Sequence, residues 1–126
     1  MKKQNKEYQL CKSITTYLKY QYPDVVYRFD MAGLNLSIAQ AGMNKVIQCG
    51  KGWPDLFIAE PRHPYKGLFI ELKAEGVKLL KQDGSYITPH LQEQSEMLYK
   101  LRLKGYWATF AVGFDQAKNT IDSYLK

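Results

Sequence analysis

The strongest constraint on the fold is a pair of apolar runs joined by a turn-rich stretch. The first run is Leu56-Phe57-Ile58-Ala59 and the second is Leu68-Phe69-Ile70-Glu71-Leu72-Lys73. Between them lies Glu60-Pro61-Arg62-His63-Pro64-Tyr65-Lys66-Gly67, rich in residues that reverse a chain. Short apolar runs bounded in this way read as buried strands. An antiparallel hairpin folded about residue 63 sets Asp55 opposite Glu71. Glu71 and Lys73 are two residues apart, so on a strand they share a face. Two adjacent carboxylates repel unless a cation lies between them. The spacing therefore predicts a divalent-metal site at one end of a sheet, with an ammonium at its edge.

Around this hairpin the chain punctuates itself clearly. Residues 5–21 carry Leu10, Ile14 and Leu18 at helical steps, and Pro23 ends the pattern. Val25 to Phe29 reads as a first strand. Residues 31–53 are broken by Gly33, Gly42, Gly50 and Gly52, with room for a short helix over Leu36 to Val46. So long a connection is often functional in a small domain. Asp83-Gly84 marks a small protruding hairpin within 76–87. Thr88 or Pro89 opens a helix with Leu91, Leu98 and Leu101 on one face, and Gly105 stops it. Tyr106 to Val112 reads as a fourth strand. Phe114 to Leu125 closes the chain as a helix carrying Ala117, Ile121 and Leu125. The expected order is α-β-β-β-α-β-α, an α/β domain spanning residues 1–126.

The chain of 126 residues carries 18 Lys and Arg against 12 Asp and Glu, a formal net charge of +6. An excess of this sign points to an anionic partner, with nucleic acid first. The apolar runs are too short to span a membrane. Cys11 and Cys49 form neither a disulfide framework nor a zinc spacing, so they read as reduced thiols of a cytoplasmic protein.

Hard divalent cations prefer carboxylate, carbonyl and water oxygens. Asp55 and Glu71 would supply the carboxylates and the Leu72 backbone carbonyl a third ligand. A cation held there polarises a phosphoryl oxygen and acidifies a bound water. Lys73 would orient that water or stabilise charge developing on phosphorus. Gln94 sits at the spacing of Leu91, Leu98 and Leu101, on an otherwise apolar helix face. Glu7 lies on the face of Leu10 and Ile14. Buried polar groups need partners, and a metal-bound water or a phosphate would provide them. Glu7 is a candidate further ligand to the metal or to its waters. Trp53 reads as a packing residue beside the site, and His63 and His90 as surface residues.

Taken singly, Pro54-Asp55 is an ordinary turn pair and Glu-x-Lys an ordinary solvated strand face. Their order and spacing turn them into a site. Arg28, Lys45, Lys51, Arg62, Lys66, Lys78 and Lys81 are the basic residues nearest the motif in sequence. They are candidate phosphate contacts, which give affinity without sequence information. No segment reads as a recognition helix.

These pieces resemble the PD-(D/E)xK nuclease signature. More specifically, the chain resembles the virus-type replication–repair nuclease (VRR-NUC) domains in their small stand-alone bacteriophage form. The matching pieces are Glu7 with Gln9, Gly52-Trp53-Pro54-Asp55-Leu56, Glu71-Leu72-Lys73, Gln94, Gly105-Tyr106 and Gly113-Phe114-Asp115. The resemblance implies a restriction-endonuclease-like α-β-β-β-α-β core, with a central mixed four-stranded sheet flanked by helices. It implies a deoxyribonuclease dependent on Mg²⁺ or Mn²⁺, with Asp55, Glu71, Lys73 and Gln94 catalytic. It also implies a homodimer acting on branched DNA such as Holliday junctions or flaps, in the host cytoplasm if the chain is phage-encoded. The stretch 31–51 carries no family motif. Two alternatives remain at this stage. One is a non-catalytic nucleic-acid-binding module of the same fold. The other is a sequence-specific restriction endonuclease, disfavoured by the lack of a recognition subdomain.

Overall fold

A computed structural model describes residues 3–30 and 36–126. The start of the expected 31–51 connection therefore lies outside the described residues. The elements are α1 (Lys3–Gln21), β1 (Tyr27–Phe29), α2 (Ile38–Val46), β2 (Leu56–Ile58), β3 (Leu68–Lys73), α3 (Pro89–Leu103), β4 (Trp107–Val112) and α4 (Gly113–Leu125). The strands form one mixed sheet in the order β1-β2-β3-β4. β1 and β3 each run antiparallel to β2, and β4 runs parallel to β3. The parallel pair is joined through α3, as a crossover connection requires. This is the expected α/β architecture with a central mixed four-stranded sheet.

The hairpin register follows the sequence. Leu56 pairs with Ile70, Phe57 with Phe69 and Ile58 with Leu68. One step beyond the ladder lie Asp55 and Glu71. At the other end, Arg62 and Tyr65 exchange two backbone hydrogen bonds of 3.0 and 2.7 Å and close the turn.

Alternation along the strands gives the sheet two different faces. One carries Leu56, Ile58, Leu68, Ile70 and Leu72, all buried, and packs on Ile14 and Leu18 of α1 and Ala117, Ile121 and Tyr124 of α4. Each fully buried aliphatic side chain here stabilises the fold by about 1.5–3 kcal/mol. α1 and α4 are tied by Asp122, whose carboxylate accepts O–H bonds from Tyr17 (2.5 Å) and Tyr22 (2.6 Å). Burial pushes that carboxyl up, but the two tyrosines and the Lys118 ammonium outweigh it and hold it below the usual range.

The opposite face carries Phe57, Phe69, Glu71 and Lys73. Phe69 and Ala108 pack there on Met97, Leu98 and Leu101 of α3. α3 begins where Thr88 accepts a hydrogen bond from Leu91 N–H (3.1 Å) with Pro89 at its first turn. Residues 79–87 form the small expected hairpin, bridged at Leu80 and Tyr86, with Gly84 at φ +89° in its tip.

α2 is held by a capping box between Ser37 and Gln40, yet buries none of its side chains. Asn44, Lys45 and the following Gln48 face a large cleft. Ile38, Met43, Val46 and Ile47 are exposed.

Candidate active site

Asp55 enters the site from the loop before β2, and Gly52 fixes that loop. Gly52 has φ +82°, and a Cβ there would lie 2.9 Å from the Glu93 carbonyl oxygen. Only glycine permits both the backbone conformation and the contact. The loop carrying Asp55 is thus pressed against the first turns of α3, which carry Gln94. Pro54 is buried, and Trp53 packs on Phe69 with ring centroids 6.0 Å apart.

The Asp55 carboxylate accepts the Leu72 backbone N–H at 2.8 Å. In an extended residue the N–H and C=O point to the same edge of the strand. The Leu72 carbonyl is therefore turned toward Asp55 as well. Glu71 is 3% exposed. Its Oε2 accepts from Gln94 Nε2 at 2.9 Å and lies 3.6 Å from the Lys73 ammonium. Gln94 itself is buried, and its Nε2 also lies 3.2 Å from His90 Nε2. With both amide hydrogens so directed, the facing imidazole nitrogen is the acceptor. His90 Nδ1 is 3.8 Å from the Glu93 carboxylate.

The electrostatics are those of a carboxylate pair short of positive charge. Burial raises Glu71 far above the usual glutamate range, and the neighbouring Asp55 raises it further, against a weaker pull from Lys73. Burial also raises Asp55, and the neighbouring Glu71 and the Leu72 N–H offset this only in part. Without a cation both carboxyls are biased toward the protonated form.

The donor set fits a hard divalent cation. Glu71 Oε1 and Gln94 Oε1 are both buried acceptors with no hydrogen-bond donor. Such groups ordinarily have partners. The atoms that Asp55, Glu71 and Leu72 offer are all oxygens, as Mg²⁺ and Mn²⁺ prefer. Among the described residues no three His, Cys, Asp or Glu side chains converge into a ready-made cage. Asp55, Glu71 and the Leu72 carbonyl would hold the ion, and water would fill the remaining positions.

Asp55, Glu71, Lys73 and Gln94 thus line one cleft together with Glu7, His90, Lys45 and Lys51. Glu7 corrects an expectation. Its helical spacing implied burial, but it is exposed. From Lys6 onward the first fully buried residue of α1 is Ile14, so the turn carrying Glu7 stands clear of the core. Glu7 still faces the cleft and is close enough to raise Asp55. Among the candidate phosphate contacts, Lys45 and Lys51 line the cleft, and Arg28 lines an adjoining cavity. Lys78, just before the 79–87 hairpin, and Lys81, on it, are exposed and line neither. Arg62 and Lys66 belong to the hairpin turn, at the far end of the strands from Asp55. Arg62 pairs with Glu60 at 2.7 Å and bonds the Leu125 carbonyl, so its role is structural. His90 is the residue that sequence reasoning missed. It is exposed, as expected, but its contact with Gln94 has no signature in helical periodicity.

No protein-family model and no curated protein matches the chain. A solved structure described as a VRR_NUC domain protein is similar to it, with 27% sequence identity and a TM-score of 0.64. The likeness covers 95% of this chain and 88% of that one. Fold and sequence order together mark a VRR-NUC-like domain with a restriction-endonuclease-like sheet.

Proposed function

From a VRR-NUC-like domain that carries this site, we infer that the protein is a metal-dependent DNA endonuclease hydrolysing phosphodiester bonds. The observation that carries the reading is half-buried Asp55 set beside buried Glu71, with orphaned oxygens on Glu71 and Gln94 and Lys73 alongside. A purely structural sheet end has no use for a buried glutamate whose carboxyl is pushed up further by an aspartate beside it. This weighs against a binding-only module of the same fold.

Asp55, Glu71 and the Leu72 carbonyl would hold Mg²⁺ or Mn²⁺. The bound ion supplies Lewis acidity toward a phosphoryl oxygen and a water of lowered pKa. Leu72 N–H orients the Asp55 carboxylate, and Gln94 Nε2 orients Glu71. Gln94 Oε1 accepts a hydrogen bond from a water in the cleft. The Lys73 ammonium, held by Glu71, balances negative charge that grows on the phosphate as the bond breaks. Lys45 and Lys51 draw the DNA backbone toward the cleft, and Glu7, lining the same cleft, would face water around the ion. The substrate is branched DNA, the working form a homodimer, and the compartment the cytoplasm of the cell in which the chain is made. No helix among the described residues is long and apolar enough to cross a membrane.

The test is a panel of linear duplex, flap and four-way-junction DNA incubated with Mg²⁺, Mn²⁺ or chelator. Cleavage in either metal and none in chelator is expected. Cleavage undiminished by chelator would remove the metal from the mechanism. Equal cutting of all three DNAs would remove the preference for branches. Sedimentation at micromolar concentration tests the dimer.

A further inference from the structure

Arg28, Phe57 and Phe69 form one row across the sheet, since Arg28 pairs with Phe57 and Phe57 with Phe69. By strand alternation this row lies on the same face as Asp55, Glu71 and Lys73. α3 covers the Phe69 end of the row, but not the Arg28 end. A cavity of about 250 Å³ opens there, lined by Arg28, Asp30, Gln48, Trp53, Phe57 and Phe69. Asp55 also lines it, so it adjoins the catalytic cleft directly.

The walls of this cavity have a specific chemistry. Phe57 and Phe69 stack with centroids 4.5 Å apart and planes inclined by 21°. Trp53 packs on Phe69, and its indole N–H is buried without an acceptor. Gln48 and Asp30 bring an amide and a carboxylate, and exposed Arg28 brings a cation to the rim. Aromatic side chains, mixed amide and carboxylate groups and a cation suit a planar heterocycle attached to a phosphate. The volume falls below the ~300–1,000 Å³ of pockets that take drug-sized ligands.

We propose that this cavity receives one unpaired nucleobase of the DNA strand whose phosphodiester lies at Asp55, Glu71 and Lys73. The proposal rests on the nuclease reading and gives it a physical basis for choosing substrates. A base inside a duplex is stacked on both sides and cannot enter. A base at a junction, flap or bulge is already partly unstacked, so little energy is needed to extract it. Once seated, it stacks on the Phe57–Phe69 wall while Arg28 meets the adjoining phosphate. Stacking of this kind tolerates any base, which matches the lack of a recognition helix.

The experiment compares three labelled duplexes that differ at one position: fully paired, one unpaired thymine, and one unpaired abasic nucleotide. Binding is measured by fluorescence anisotropy in Ca²⁺, with strand integrity checked on a gel. The unpaired thymine is expected to bind roughly ten-fold more tightly than either other DNA. Phe57→Leu keeps the site apolar, and Arg28→Ser changes only an exposed position. Phe57→Leu should bring the thymine duplex down to the abasic one. Arg28→Ser should weaken binding of the thymine duplex more than of the paired duplex. If abasic and thymine DNA bind equally, or if both variants leave the difference intact, the cavity does not hold a base. Metal-dependent cleavage is read separately, by comparing the wild type with Asp55→Asn on four-way-junction DNA in Mg²⁺. Failure of the nuclease reading and failure of the base pocket are therefore distinguishable.

Discussion

Glu71→Gln should stabilise the cation-free protein, and by an amount that grows with pH. Glu71 ionises near 4.5 in an unfolded chain, whereas burial and Asp55 raise it far above that in the folded protein. A carboxyl raised on folding contributes fully below its unfolded value, and that contribution is lost as pH rises toward its folded value. From pH 4.5 to pH 7 is about 2.5 units, at about 1.36 kcal/mol per unit, so the wild type forfeits about 3 kcal/mol over this window. Glutamine cannot ionise and keeps a similar shape, so the variant escapes this loss. For a chain of this length the difference is on the order of 10 °C in Tm at pH 7, vanishing near pH 4.5. The assay is thermal unfolding of both proteins in chelator across pH 4.5–7.5, read by circular dichroism. Millimolar Mg²⁺ or Mn²⁺ should then raise the wild type at pH 7 and raise the variant less, because the ion takes the place of the retained proton. Parallel melting curves for the two proteins at every pH would refute the reasoning.

Four further outcomes follow from the geometry. Gly52→Ala places a Cβ 2.9 Å from the Glu93 carbonyl at φ +82°. It should cost roughly 1–3 kcal/mol in denaturant unfolding and reduce cleavage by displacing Asp55 from Gln94. Asp122→Ala removes the acceptor of both the Tyr17 and Tyr22 hydroxyls. It should destabilise by about 2 kcal/mol while leaving the specific activity of the folded fraction unchanged. Leu98→Ala, at a fully buried position between α3 and the sheet, should cost about 2–5 kcal/mol. His90→Ala deprives Gln94 of one acceptor and should lower kcat about five-fold with little change in KM, whereas His90→Asn should restore part of the loss.

The central hairpin was legible because strand pairing is a matter of counting. A turn centred on residue 63 and a period of two bring Asp55 to Glu71 and put Lys73 on the same face. Gln94 was legible for a related reason, as one amide on a helix face otherwise made of leucines. Glu7 was half legible. Helical spacing gave its direction correctly but not its burial, since spacing says nothing of where a helix outruns the core it packs on. Arg62 shows the opposite limit. Proximity in sequence placed it near the motif, while the hairpin carries it to the far end of the sheet. The contact of His90 with Gln94 and the open half of the Phe57–Phe69 face depend on how far α3 reaches across the sheet. That reach is set by packing between distant segments, which a linear pattern does not encode.

The most direct test of the metal-dependent site is cleavage of four-way-junction DNA in Mg²⁺ or Mn²⁺ by the wild type and by Asp55→Ala, Glu71→Ala and Lys73→Ala, each checked for folding by circular dichroism. The expected result is cutting by the wild type that chelator abolishes, with each variant folded and slowed by roughly 100-fold or more. Folded variants that cut as fast as the wild type would contradict the assignment of these three residues to the chemistry.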